Sequence, residues 1–296
     1  VDRAALIDAV EAVVHRDVGR NIAPLFAATR GGLRDAVSAI ANTPGPIGLI
    51  TGFYVPGGIP PAAETDGPVA TALLARALRR VGIACRICTD APCVSACVAA
   101  LAAADAIDVA IDVVPLGGDV AEAIATWRAY RVKLAIAIER CGRTKDGTAR
   151  NMRGEDISAE TTLLDGLFLA GPWDTAAIGD GGNEIGTGGL SRALVADCIA
   201  HGETIACVTP ASHLILAGVS HWGVYALLGG LAVQRPDWRG TMVDCLDPRL
   251  DQSILESTVR NGPAVDGVTR QQTATIDSLE PAAHHQVLQA IRMLVT

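Results

Sequence analysis

Short apolar, β-branched runs alternate along this chain with longer stretches whose apolar residues recur at helical spacing. That alternation is the pattern of βαβ units and of a mostly parallel sheet. It predicts strands at Ile47–Thr51, Ile83–Thr89, Asp108–Val114, Lys133–Ile138, Ala176–Gly179 and Thr204–Val208. Between them it predicts helices near Gly67–Val81, Pro92–Ala104, Asp119–Tyr130, Leu190–His201 and His221–Val233. Three helices are expected before the first strand. Two more, about Arg249–Arg260 and Asp277–Leu294, are separated by the turn at Gly262–Pro263. No linker-like composition interrupts the pattern, so residues 1–296 read as a single α/β domain. The expected architecture is an open, Rossmann-like three-layer α/β/α sandwich with a mostly parallel sheet.

Composition narrows the function classes. Half of the 296 residues are hydrophobic and 19% are charged, which excludes disorder, a coiled coil and a collagen-like fibre. A net charge of −8 argues against a dedicated nucleic-acid binder, which needs a concentrated basic surface. Leu214–Val233 carries no formal charge, yet it holds His221 and four glycines and lacks flanking basic anchors. A buried core helix is expected there rather than a membrane span. Val1–His15 reads as an amphipathic segment and not as a secretory signal. Eight cysteines are too few for a disulfide scaffold, so reduced thiols and a cytoplasmic location are expected.

Three segments that follow predicted strands are rich in glycine, carboxylates and arginine. In parallel sheets these are the loops where ligands sit. The first, Gly52–Pro68, contains Glu64 and Asp66, readable either as helix-start residues or as two hard ligands for a divalent cation. The second runs from Glu139-Arg140-Cys141-Gly142-Arg143 to Asn151-Met152-Arg153-Gly154. Its arginines suit an anionic substrate or, equally, surface ion pairs. The third, Gly179–Gly189, sets Asp180, Asn183 and Glu184 among glycines, an oxygen-rich set suited to Mg²⁺ or Mn²⁺. Its spacing does not match the dinucleotide fingerprint, and no Gly-Lys-Ser/Thr forms a P-loop.

The cysteines Cys85, Cys88, Cys93 and Cys97 have metal-like spacing, but strand and helix geometry point them apart. They are expected to be small buried hydrophobes. His213 and His221 read as packed core histidines, with a general base as the alternative. His284 and His285 read as surface residues.

Together, Glu64-Thr65-Asp66-Gly67-Pro68, Glu139-Arg140-x-Gly142-Arg143, Asn151-Met152-Arg153-Gly154 and Gly179–Gly186 resemble the D-glutamate cyclase family. The resemblance spans about Asp17 to Tyr225, and it departs at Cys141, Thr187 and His221, where Pro, Met and Asn are expected. It implies a metal-dependent lyase that closes D-glutamate to 5-oxo-D-proline with loss of water, with Mn²⁺ ahead of Mg²⁺. On that basis the metal goes to Glu64, Asp66, Asp180, Asn183 and Glu184. Glu139 becomes the base, with Asp180 and Glu184 also in the catalytic set. Arg140, Arg143, Arg153, Asn151, Gly181 and Gly182 are expected to hold a small carboxylate substrate. Two other readings stay open: a metal-dependent phosphate-ester or nucleotide enzyme, and a non-catalytic metal or anion sensor. No nucleic-acid or membrane partner is expected, and the apolar tail helices pack either internally or against a second copy in a homo-oligomer.

Overall fold

The computed structural model describes residues 2–43 and 45–296. Helices α1 (Arg3–Val14), α2 (Ala23–Thr29) and α3 (Gly32–Asn42) precede β1 (Ile47–Thr51). A two-stranded flap, β2 (Tyr54–Val55) with β3 (Ala62–Ala63), leads to α4 (Asp66–Arg80). Then come β4 (Cys85–Asp90), α5 (Val94–Ala103), β5 (Ile111–Val114), α6 (Ala121–Tyr130) and β6 (Leu134–Ile138). Next follow α7 (Asp165–Leu169), β7 (Asp174–Gly179), α8 (Arg192–Cys198), α9 (Gly202–Ile205) and β8 (His213–Leu216). The chain closes with α10 (Ser220–Gln234), α11 (Arg239–Cys245), α12 (Pro248–Asn261) and α13 (Pro281–Val295).

The six long strands form one parallel sheet in the order β5-β4-β1-β6-β7-β8, with Ile47 beside Cys85 on one side and beside Leu134 on the other. Alternate strand residues feed two helical layers, as the two-residue period requires. Leu49, Ile136 and Ile178 pack under the helices that include α4 and α10, while Ile50, Ala137 and Ala177 pack under Trp127 of α6 and Phe168 of α7. The fold is therefore the expected Rossmann-like three-layer sandwich.

The uncharged stretch is a core helix. Every residue of α10 from Ser220 to Val233 is buried, against α1, α3, α4, α11 and α13 among others. A Cβ on Gly230 would sit 2.5 Å from Val37, so the glycine is what lets α3 approach. Among the described residues, no helix is long and apolar enough to cross a membrane. The tail helices pack inward, α12 on α5 and α4, and α13 on α10 and α1.

Three expectations are corrected. The last strand is His213–Leu216, not Thr204–Val208. Residues 207–209 do run extended, but they bond to the glycine loop: the Cys207 N–H donates to Gly182, and Gly186 and Gly188 donate to Thr209. The final helix starts at Pro281 rather than Asp277, because Pro is favourable in a first turn and both Asp277 and Ser278 have positive φ. His284 is not a surface residue; it is 1% exposed, and its Nδ1 accepts the Trp222 indole N–H at 2.9 Å.

The His284 environment sets a pH dependence. Desolvation, then the nearby His221, lower its pKa from 6.5 to about 4. A proton on Nδ1 would face another donor, so the fold holds the neutral ring. Below pH 6.5 the unfolded chain takes up a proton that the folded chain refuses until about pH 4, so stability falls with pH through that window. The loss reaches about 3 kcal/mol at 1.36 kcal/mol per pKa unit. His284→Gln keeps an acceptor for Trp222, and denaturant titrations at pH 7, 5.5 and 4 should show a flatter profile for it than for the wild type. Parallel profiles would remove His284 as the cause.

Candidate functional site

The chain runs from β1 outward to β4 and β5, then crosses back over β1 to β6 and continues to β7 and β8. The connections leaving β1 and β6 therefore diverge, and a crevice opens at the strands' carboxyl ends where ligands bind in open α/β sheets. A cavity of about 260 Å³ lies there.

Each carboxylate arrives by a local device. The flap after β1 carries Glu64, and Asp66 opens α4, one residue inside its Thr65 cap position. Asp66 does not cap the helix; both its carboxylate oxygens are buried without a hydrogen-bond donor, as is Glu64 Oε1. Glu139 directly follows β6 with φ 42°, and one of its oxygens accepts the Ser220 hydroxyl. Asp180 follows β7 and accepts the Ser220 backbone N–H at 2.9 Å and the Arg20 guanidinium.

One oxygen from each of Asp66, Glu139 and Asp180 lies within 4.8 Å of the others, the one such acidic or thiol cluster among the described residues. Burial, followed by mutual repulsion, pushes Glu64, Asp66 and Glu139 well above the usual carboxylate range. Asp277 is raised to about 7 by burial, against the opposing pull of Arg20. Three hard oxygen donors, two orphaned oxygens on one of them, and a surplus of negative charge fit a divalent cation of the Mg²⁺ or Mn²⁺ type.

Of the expected site residues, Glu64, Glu139, Asn151, Arg153, Asp180, Gly181, Asn183 and Glu184 line the cavity, with Asp66 beside them in the triad. Glu184 is turned onto its own loop, where it accepts the N–H groups of Asp180, Gly181 and Gly182. Asn183 donates to the Arg150 carbonyl at 3.0 Å. Asn151 accepts the Arg153 and Glu155 N–H groups and so shapes the turn that presents Arg153. Arg153 donates to the carbonyls of Gly267 and Val268. Gly182 and Arg143 do not line the cavity, and Arg143 is exposed. Arg140 is also outside it, with 0% side-chain exposure and its guanidinium on Asp90 at 2.7 Å and on the carbonyls of Gly52 and Thr162.

Sequence reasoning missed Arg20, Ser220 and Asp277. Arg20 sits on a turn held by Asp17, whose carboxylate accepts the N–H groups of Gly19, Arg20 and Ile22. It bridges Asp180 and Asp277, the latter at 2.7 Å. The available signals were the Asp17–Asn21 turn composition and Pro281, which frees Asp277 from the last helix. The four cysteines Cys85, Cys88, Cys93 and Cys97 are free and buried, as expected, and burial pushes the Cys85, Cys88 and Cys97 thiols up to about 12.

The chain is 33% identical over 199 residues to "D-glutamate cyclase, mitochondrial" of Homo sapiens, an alignment covering 62% of this chain and 32% of that protein. The chain thus spans about a third of that relative's length. The family described as "D-glutamate cyclase-like, C-terminal" matches residues 10–292. The chain belongs to that D-glutamate cyclase-like family.

Proposed function

We propose that this protein is a metal-dependent lyase that closes D-glutamate to 5-oxo-D-proline with loss of water, acting as one domain over residues 1–296. The observation that carries this reading is the convergence of Asp66, Glu139 and Asp180, with both Asp66 oxygens unbonded, at the sheet's switch point. These three residues would hold the cation, Mn²⁺ ahead of Mg²⁺. When bound, it supplies Lewis-acid polarisation of the substrate's γ-carboxylate, otherwise a poor electrophile.

The chain's own groups then have separable tasks. Arg153 is fixed by two backbone carbonyls on the cavity wall and meets the α-carboxylate. Holding both ends of one molecule brings its amine to its own γ-carbon, which supplies several kcal/mol through orientation. The ammonium must lose a proton before it attacks. Glu64 lines the cavity outside the triad with an unbonded oxygen, so the general base is assigned to it in place of Glu139, which goes to the cation. The new N–C bond forms as a C–O bond breaks, and the oxygen leaves as water.

The phosphate-ester reading fares worse. The loop N–H groups that would cradle a phosphate are already bonded to Glu184. A sensor would bind glutamate and release it unchanged. Protein stripped with chelator should show no turnover by NMR, and added Mn²⁺ should yield 5-oxoproline from D-glutamate. Undiminished turnover without metal, or no 5-oxoproline from either enantiomer, would sink the reading.

A further inference from the structure

Asp180 is the member of the acidic triad whose two oxygens are both engaged. Its Oδ2 accepts the backbone N–H of Ser220 at 2.9 Å, and its Oδ1 accepts Nη1 of Arg20. Both oxygens of Asp66, by contrast, are without a donor. A cation held by Asp66, Glu139 and Asp180 must therefore share Asp180 with one of these two donors or take its place. The donors differ in freedom. Ser220 is 0% exposed at the start of α10, and its N–H is fixed in that buried helix. Arg20 has its backbone N–H pinned by Asp17, but its guanidinium stands at the end of a long flexible side chain on the cavity wall. Arg20 is the partner that can leave.

Its charge favours leaving. A guanidinium beside a divalent cation is repelled, and repulsion is strong in the low dielectric of a buried site. Until a cation arrives, the same charge offsets the crowded carboxylates, with Nη1 on Asp180 and Nη2 on Asp277 at 2.7 Å. Arg153, also on the cavity wall, is committed elsewhere, to the carbonyls of Gly267 and Val268.

We propose that Arg20 is the internal counter-ion of the metal-free site, that it yields Asp180 when a divalent cation loads, and that its freed Nη1 then receives a carboxylate of the substrate; this rests on the cation site and the cyclase reading given above. Asp277 keeps Nη2, so the guanidinium pivots without leaving the cavity. An unpaired donor in this mostly buried position is unfavourable, and a carboxylate satisfies it with a charge-assisted hydrogen bond. Cation and anionic substrate then bind with positive coupling, each strengthening the other by the same factor. Without the cation, Arg20 is already paired, and the site's own carboxylates repel those of the substrate.

The test reads binding and not turnover. Titration calorimetry at pH 8 follows Mn²⁺ binding to the metal-free full chain, with and without glutarate, a dicarboxylate that has no amine and cannot form a lactam. Arg20→Met should bind Mn²⁺ at least about tenfold more tightly than the wild type, since it places no positive charge on Asp180. Arg20→Lys, which keeps the charge, should stay within about threefold of the wild type. Glutarate should tighten Mn²⁺ binding about tenfold in the wild type and by less than about threefold in Arg20→Met. Unchanged or weaker Mn²⁺ binding in Arg20→Met, or equal tightening in both variants, overturns the counter-ion role. Coupling to glutarate that is absent from the wild type, which needs no variant to fold, or undiminished in Arg20→Met, overturns the capture of a carboxylate. Both failures leave the cyclase reading standing on its own NMR test. A wild type that binds no Mn²⁺ removes the cation site and both readings with it.

Discussion

Asp66→Asn should reduce turnover at least about a thousandfold and weaken Mn²⁺ binding severely, while the metal-free variant melts higher than the metal-free wild type at pH 8. The first effect follows from the position of Asp66, whose oxygens are buried, unbonded and close to those of Glu139 and Asp180. A cation held by these groups contributes several kcal/mol to the reaction, and each 1.36 kcal/mol is tenfold in rate. The second effect has the opposite sign because the site without a cation is a set of carboxylates pressed together. Their raised pKa values mean that the unfolded chain releases protons first as pH rises. Stability of the metal-free protein therefore declines with rising pH until the folded carboxylates have also ionised. Removing one charge relieves that strain. Titration calorimetry with Mn²⁺ and melting curves with chelator decide the matter: unchanged Mn²⁺ affinity would take Asp66 out of the site.

Arg140→Met should act on folding rather than on substrate. Its guanidinium and the Asp90 carboxylate have no exposed side-chain surface. Arg140 joins the Gly52 carbonyl after β1, Asp90 at the end of β4 and the Thr162 carbonyl, while Asp90 also accepts the Thr162 N–H at 3.0 Å. Removing one member of a buried pair costs about 3–5 kcal/mol, because the partner's charge stays behind. For a chain of this size that corresponds to a melting point lower by roughly 5–8 °C. The double variant Arg140→Met/Asp90→Leu should recover part of the loss, since it leaves no charge unpaired. If Arg140→Met melted like the wild type and instead raised KM for D-glutamate, Arg140 would be a substrate clamp, as its sequence neighbourhood implied.

That neighbourhood shows how far the sequence could be read. Glu139 and Arg140 follow an apolar strand directly, and the left-handed φ of 42° at Glu139 turns the chain there, which no spacing rule reveals. One faces the cavity and the other a buried ion pair, yet composition gives both the same appearance of a charged loop. Glu184 misled in a similar way. Its spacing from Asp180 suits a metal ligand, but the positive φ of Gly182 and the bare N–H groups beside it make its own loop the nearer partner. Most strands were legible because strands such as Ile47–Thr51 and Leu134–Ile138, buried on both faces, are short apolar runs set between helical patterns. The strand at His213–Leu216 was hidden because its apolar run continues into α10 with no charged residue between them. Arg20 and Asp277 were out of reach for another reason: they come from opposite ends of the chain, and only the folded topology brings them together.

The Asp17 turn that presents Arg20 bears on where such a unit can be cut. A version beginning at Ile47 would retain all six strands of the parallel sheet and the three loops that carry the recognisable motifs. It would lack the guanidinium that bridges Asp180 and Asp277, and those two acids would be left facing each other across the cavity. In a longer polypeptide of this family, a fragment that keeps the whole acidic site therefore has its boundary ahead of this turn. Splicing or proteolysis between the turn and the sheet would remove that guanidinium and also strip α1 from α10.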